Sequence, residues 1–144
     1  MIVLDTNVLS EVLRPRPEPR VVAWLEGLDG DVAITAVTLA ELLAGLRRLP
    51  DGRRKAELSA AVTAALEPYR DGRAILPFDE ACADAYVQVL LARERIGLPI
   101  STADAQIAAI CWTRGATCAT RNTADFAGTG IELIDPWSAP AGEA

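Results

Sequence analysis

Met1-Ile2-Val3-Leu4-Asp5-Thr6-Asn7 opens the chain: a short apolar, β-branched run cut off by a carboxylate and two small polar groups. Such a run predicts a strand buried on both faces, as in a parallel sheet. Groups just past the carboxyl end of such a strand line the crevice where open α/β sheets hold ligands. The 144 residues include no histidine, so acid–base or metal chemistry has to rest on carboxylates. Asp5 is the first one placed to do it.

Four further strand candidates follow: Val32 to Thr35, Ala74 to Leu76, Ala116 to Thr120 and Ile131 to Ile134. Helical patterns separate them. Thr6 to Arg14 is stopped by Pro15, Pro17 and Pro19, and Val21 to Leu28 carries an apolar stripe. Val37 to Leu49 is strongly apolar and ends at Pro50-Asp51-Gly52, whereas Arg53 to Leu66 is more polar. Asp79 caps a helix running to Arg95, and Ser101 to Arg114 is another, with Gly115 just past its end. Strands alternating with helices predict a three-layer α/β/α sandwich around a mostly parallel, five-stranded sheet. We expect one domain over residues 1–137, with 138–144 as a tail and fraying from Pro136 onward.

A net charge of −6 argues against a chain coated in cations along its length, though not against a local basic patch. Cys82, Cys111 and Cys118 are odd in number and lack CxxC spacing, so they read as buried small hydrophobes of a reducing compartment. A zinc site without histidine is not expected. The amino terminus lacks a basic, then long apolar, leader pattern, and no span of about 18 apolar residues occurs. The expected location is cytoplasmic, with no membrane contact.

Each carboxylate near a predicted element end has two readings. Asp5 either faces the crevice or caps the helix after it. Glu41 is the only acid in an apolar helix, where a buried charge has to be paired or ligated. Its alternative is a capping box with Thr38. Asp104 stands at capping-box spacing from Ser101 and favours the positive end of its helix. Asn122 and Asp125 follow the fourth strand, either as loop caps or as members of a site. If the first and fourth strands are neighbours, their ends share one crevice. Acids gathered from these separate places would form an oxygen-only donor set, which suits Mg²⁺ or Mn²⁺.

Four blocks, in order, resemble the PIN-domain ribonucleases, and among them the VapC-type toxins of bacterial toxin–antitoxin pairs. They are Met1 to Asn7, Ile34-Thr35-Ala36-Val37-Thr38-Leu39-Ala40-Glu41-Leu42, Ile100-Ser101-Thr102-Ala103-Asp104-Ala105-Gln106-Ile107-Ala108-Ala109, and Ala119-Thr120-Arg121-Asn122-Thr123-Ala124-Asp125-Phe126. The resemblance runs from residue 1 to about Trp137. It implies a five-stranded parallel sheet with the first strand central, and a site whose three acids are Asp5, Glu41 and Asp104. A fourth, more variable position falls at Asn122 or Asp125, with Thr6, Asn7 and Thr120 orienting carboxylates or waters. It further implies a Mg²⁺- or Mn²⁺-dependent endoribonuclease that leaves a 5′-phosphate and a 3′-hydroxyl. The implied partners are a small DNA-binding, VapB-like antitoxin that blocks the site and a second copy in a homodimer.

Arg14, Arg47, Arg48 and Arg121 lie close in sequence to these blocks and are candidate contacts for RNA phosphates, or else ordinary helix-end charges. Arg53-Arg54-Lys55 reads as a solvated face. Trp24 and Trp112 fit apolar helix faces and are expected in the core; Trp137 is a further aromatic able to stack on a base. Leu39, Leu42, Leu43 and Leu46, beside a helix over Ala81 to Leu91, form a candidate groove for an antitoxin segment. Two rival readings remain: a PIN-like binding module with a degenerate site, and a haloacid-dehalogenase-like phosphatase. The phosphatase needs a second Asp at position 7, which is Asn, and a lysine near the phosphate, where Lys55 is the only lysine.

Overall fold

Ile2–Leu4 (β1) is the middle strand of a five-stranded sheet in a computed structural model that describes residues 1–138. On one side it pairs with Val32–Thr35 (β2), which pairs with Ile75–Leu76 (β3). On the other side it pairs with Thr117–Ala119 (β4), followed by Leu133–Ile134 (β5). Every pairing is parallel, in the order β3-β2-β1-β4-β5.

Between the strands run seven helices: Thr6–Val12 (α1), Pro19–Glu26 (α2), Ala36–Arg47 (α3), Arg53–Asp71 (α4), Ala83–Arg95 (α5), Thr102–Arg114 (α6) and Thr123–Phe126 (α7). A 3-10 turn, Glu80–Cys82, leads into α5. Side chains alternate across a strand, and the core divides accordingly. Val3, Ala33, Leu76 and Cys118 pack on α5 and α6. Leu4, Ile34 and Ala119, each one residue further on, pack on Val8, Val21, Trp24, Leu42, Val62 and Leu66 from α1 to α4. The sheet is therefore covered on both faces, which is why its strands read as unbroken apolar runs.

Several boundaries depart from the sequence reading, each for a local reason. Pro19 opens α2 instead of ending α1, because the first helical position needs no N–H donor. Pro68 falls inside α4, which continues five residues past Leu66. The capping side chain of α3 is Thr35, which accepts from the Thr38 backbone N–H at 3.0 Å, so Thr38 and Glu41 form no capping box. Asp79 takes the Cys82 thiol at 3.4 Å and gives its helix no side-chain cap. Residues 123–126 form a short helix where a loop was expected.

The expected fraying from Pro136 is corrected too. Pro136 is buried, the Trp137 carbonyl accepts from Arg20 Nη1 at 3.0 Å, and Arg121 stands 4.9 Å from the centroid of the Trp137 ring. The rest of the expected tail, 139–144, lies outside the described residues. Trp24 is core, but Trp112 is 43% exposed, lying over Gly130, where a Cβ would collide with the indole. All three cysteines are buried and free. Among the described residues, no helix is long and apolar enough to cross a membrane.

Candidate metal centre at the strand switch point

The chain adds β2 and β3 on one side of β1, then crosses back to add β4 and β5 on the other. Strand order therefore reverses between β1 and β4, and a crevice opens past their carboxyl ends. Asp5 follows β1 directly and Thr120 follows β4. The Asp5 backbone N–H donates to the Ala119 carbonyl at 2.9 Å, which ties the two ends together.

Asp5 is 5% exposed, and both of its oxygens accept hydrogen bonds. Its Oδ1 accepts from the Thr6 N–H at 2.8 Å, capping α1. Its Oδ2 accepts from the Thr120 hydroxyl at 2.8 Å and the Asn7 amide at 3.2 Å. Capping and crevice are thus not alternatives: one oxygen serves the helix while the carboxylate sits at the switch point. Asn7 spans the gap, donating also to Thr120 Oγ1 at 3.2 Å and accepting from the Arg121 N–H at 3.1 Å. Thr120 Oγ1 in turn accepts from the Asn122 N–H at 3.0 Å.

Glu41 arrives from the second turn of α3. It is exposed to the crevice, not buried as its apolar neighbours suggested, and its Oε1 lies 2.9 Å from the Thr6 hydroxyl. Thr6 is also 3.1 Å from the buried Thr38 hydroxyl. Asp104 stands in the first turn of α6, whose cap, Ser101, accepts from the Asp104 N–H at 3.2 Å. Asp125 is in the short α7, exposed, and Asn122 is the residue before that helix, with no side-chain bond to it.

These acids sense one another. Burial raises the Asp5 carboxyl above its ordinary 3.8; the bonds from Thr120, Thr6 and Asn7 oppose the rise, and the charge of Glu41 adds to it. Asp104 is raised by burial and then by the charges of Asp5 and Asp125, against the Ser101 bond and the Arg93 cation. Four acids are so linked in pairs, Asp125 through its charge on Asp104. Among the described residues no three carboxylates stand close enough to grip an ion directly. The donor set fits a hard cation that keeps several of its own waters, as Mg²⁺ does.

The predicted cations are more scattered. Arg14 is tied to the buried Glu11 at 3.2 Å. Arg121 stacks on Trp137, and Arg47 and Arg48 stand exposed at the end of α3. Two charged residues went unremarked in the sequence reading, Glu11 and Arg93, each 5% exposed. Arg93 Nη1 donates to the carbonyls of Ala124 at 3.0 Å and Ala127 at 2.7 Å, and so ties α7, with Asp125, to the end of α5. The signal was present: Arg93 continues the buried stripe Ala85, Val89 at four-residue steps, and Glu11 follows Val8 at three. The groove is also displaced. It is a space of about 490 Å³ between α1, α3 and α4, including Thr6, Glu41, Leu42, Leu46, Leu58 and Val62 in its walls, and α5 takes no part.

Residues 2–131 match the PIN domain, and the chain belongs to the PIN-domain family. Within that family it is similar over almost its whole length to toxins of the VapC type. Toxin FitB of Neisseria gonorrhoeae is 43% identical over 138 residues, covering 95% of this chain and 99% of the relative. VapC ribonuclease Y4jK of Sinorhizobium fredii is 36% identical over 138 residues, covering 95% and 98%. A solved structure of FitAB bound to an IR36 DNA fragment contains a chain that superposes with a TM-score of 0.89 at 40% identity, covering 97% of this chain and 98% of that one. The phosphatase reading ends here. Asn7 supports Asp5 and cannot serve as its acid, and Lys55 is bound to Asp51 at 3.2 Å on the turn before α4.

Proposed function

We propose that the chain is a Mg²⁺- or Mn²⁺-dependent endoribonuclease and the toxin of a toxin–antitoxin pair, working in the cytoplasm. The observation that carries this reading is that Asp5, at the switch point, lies within charge range of Glu41 and Asp104, and Asp104 within range of Asp125, in a chain without histidine. Cleavage through the RNA 2′-hydroxyl by a histidine pair has no residues to run it. A divalent ion, when bound, supplies positive charge for the phosphoryl oxygens and lowers the pKa of water toward neutrality.

Asp5 and Asp104 are the residues that would hold the ion. Thr120 and Asn7 donate to Asp5 and fix which lone pairs face the crevice. Glu41, steadied by Thr6, would bind the ion through a water or orient the attacking one. Asp125, carried by the helix that Arg93 anchors, completes the ring of charge. Thr120→Val keeps the side-chain shape but removes the donor to Asp5 and the acceptor used by Asn7 and Asn122. It is expected to lower divalent-ion affinity or cleavage by about 10–100-fold. A variant with unchanged cleavage at limiting Mn²⁺ would show that Thr120 has no such role.

The apolar groove beside Thr6 and Glu41 is read as the seat of an antitoxin segment, in keeping with the partnered structures of the similar chains. The exposed Val87, Leu91, Ile96 and Leu98 offer an apolar face to a second copy. The test of the activity is purified protein incubated with RNA and Mn²⁺ or Mg²⁺, with the new ends sequenced. Expected are internal cuts bearing 5′-phosphates that stop in EDTA. Cuts that persist in excess EDTA overturn the mechanism, and no cuts in either ion leave a binding module.

A further inference from the structure

The segment Arg47-Arg48-Leu49-Pro50-Asp51-Gly52-Arg53-Arg54-Lys55 holds five of the chain's 14 cations and one of its 20 acids. It is the turn between α3 and α4, and all five cations lie within nine residues of a protein whose remainder is strongly acidic. Of the five, only Lys55 has an ion-pair partner among the described residues, Asp51 at 3.2 Å. Arg53 and Arg54 are exposed.

Their placement does nothing for the helix that carries them. Cations stabilise the carboxyl end of a helix and oppose the positive amino end. Arg47, in the last turn of α3, is accounted for in this way. Arg53, Arg54 and Lys55 occupy the first turn of α4, with no acid in that turn and no capping side chain on Gly52. Asp51 pairs with Lys55, and Glu57 lines the groove beside Arg54, but three cations in succession still exceed the acids around them.

The turn is also joined to the acidic crevice. Arg54 lines the same groove whose walls include Thr6 and Glu41. Arg47, Lys55 and Arg70 line an adjoining recess of about 240 Å³, together with the Ser59 and Thr63 side chains. The two spaces share Leu46 and Val62. Glu41 and Arg47 lie six residues apart on α3, about 9 Å along its axis. A polyanion with one end at the acids and running along α3 therefore meets concentrated positive charge within a few nucleotides.

We propose that the α3–α4 turn, with Arg53 and Arg54 at its centre, binds the phosphate backbone of single-stranded RNA leading away from the acidic crevice. The assignment rests on the ribonuclease reading for its ligand. It adds the surface that holds the substrate against a protein of the same overall charge sign, and the direction in which the strand runs. Contacts of this kind go to phosphates, so they set affinity and register without selecting sequence.

The test is fluorescence anisotropy of a labelled single-stranded RNA oligonucleotide in EDTA, where nothing is cut, over a series of salt concentrations. Each phosphate neutralised on a single strand contributes about 0.7 to the slope of log affinity against log salt. Arg53→Gln with Arg54→Gln is expected to flatten that slope by about 1.4 and weaken binding at least about tenfold at 0.1 M salt. Arg95→Gln with Arg114→Gln changes net charge equally on exposed positions of the opposite helix layer, and is expected to leave the slope alone. Melting curves show that both pairs are folded. An unaltered slope in the first pair, or an equal drop in both, overturns the proposal. Wild-type protein that binds through Arg53 and Arg54 yet never cuts in Mn²⁺ removes the nuclease reading and leaves the surface. Wild-type protein that cuts, with unchanged binding in the first pair, does the reverse.

Discussion

Replacing Asp5 by Asn is expected to lower RNA cleavage by about a thousandfold or more, while the protein melts within a few degrees of the wild type. The loss follows from removing a charged ligand and the transition-state charge it fixes, an effect of several kcal/mol at about 1.4 kcal/mol per tenfold. The small change in stability follows from the price the fold already meets for an ionised Asp5, which is 5% exposed and stands within reach of the charge on Glu41. Asn removes that charge but gives up part of the hydrogen bonding from Thr6, Thr120 and Asn7, so the two changes offset.

The pH dependence follows in sign. A carboxyl raised in the folded state binds its proton more tightly folded than unfolded, so its contribution is fully present below the ordinary 3.8 and is lost as pH rises through the folded value. Asp5→Asn lacks that loss. The melting temperature of the variant relative to the wild type is therefore expected to be higher at pH 7 than at pH 4. Cleavage above a tenth of wild type, or a variant that fails to fold at neutral pH, would remove Asp5 from the role given it here.

How much of this was legible beforehand depended on whether the signal was local. The apolar run at Ile2 to Leu4 is buried on both faces, and period-two alternation accounts for the division of Val3 from Leu4 between two cores. Ser101, the cap of α6, and Gly115 at φ 61 past its end are one-turn signals, and they mark that helix to within a residue. Pro19 is local too, yet ambiguous: the same ring ends one helix and begins the next. What no local pattern contains is which ends meet. Asn7 reaches Thr120 across 113 residues, and Glu41 reaches Thr6 across 35. Those pairings depend on strand order, which the alternating pattern restricts without choosing. The resemblance supplied the central place of β1; the residues alone left each acid with two readings. The groove was misplaced for the same reason, since the leucines of α3 look alike on either side until α4 is seen to pack there.

Manganese is expected to raise the melting temperature at pH 7 by about 5–10 °C at a hundredfold excess over its dissociation constant. Binding to the folded state alone at that excess adds about 2.7 kcal/mol, and a domain near this size shifts by about 2–4 °C per kcal/mol. The reason to expect a shift lies in the unbalanced charge. Asp5, Glu41, Asp104 and Asp125 are coupled by repulsion, and the cation acting on Asp104 is Arg93, whose Nη1 is already spent on the Ala124 and Ala127 carbonyls. A divalent ion relieves the repulsion that raises both carboxyls, so its benefit depends on their being ionised. Protons compete, and because Asp5 and Asp104 are both raised above 3.8, the stabilisation should fade as pH falls while ordinary surface carboxylates are still charged. Asp104→Asn should abolish most of the shift. Scanning calorimetry with and without Mn²⁺, at pH 7 and pH 4.5, measures this without any substrate. A melting temperature indifferent to Mn²⁺ at neutral pH, or an equal shift in Asp104→Asn, would mean that these four acids hold no ion, whatever RNA the protein cuts.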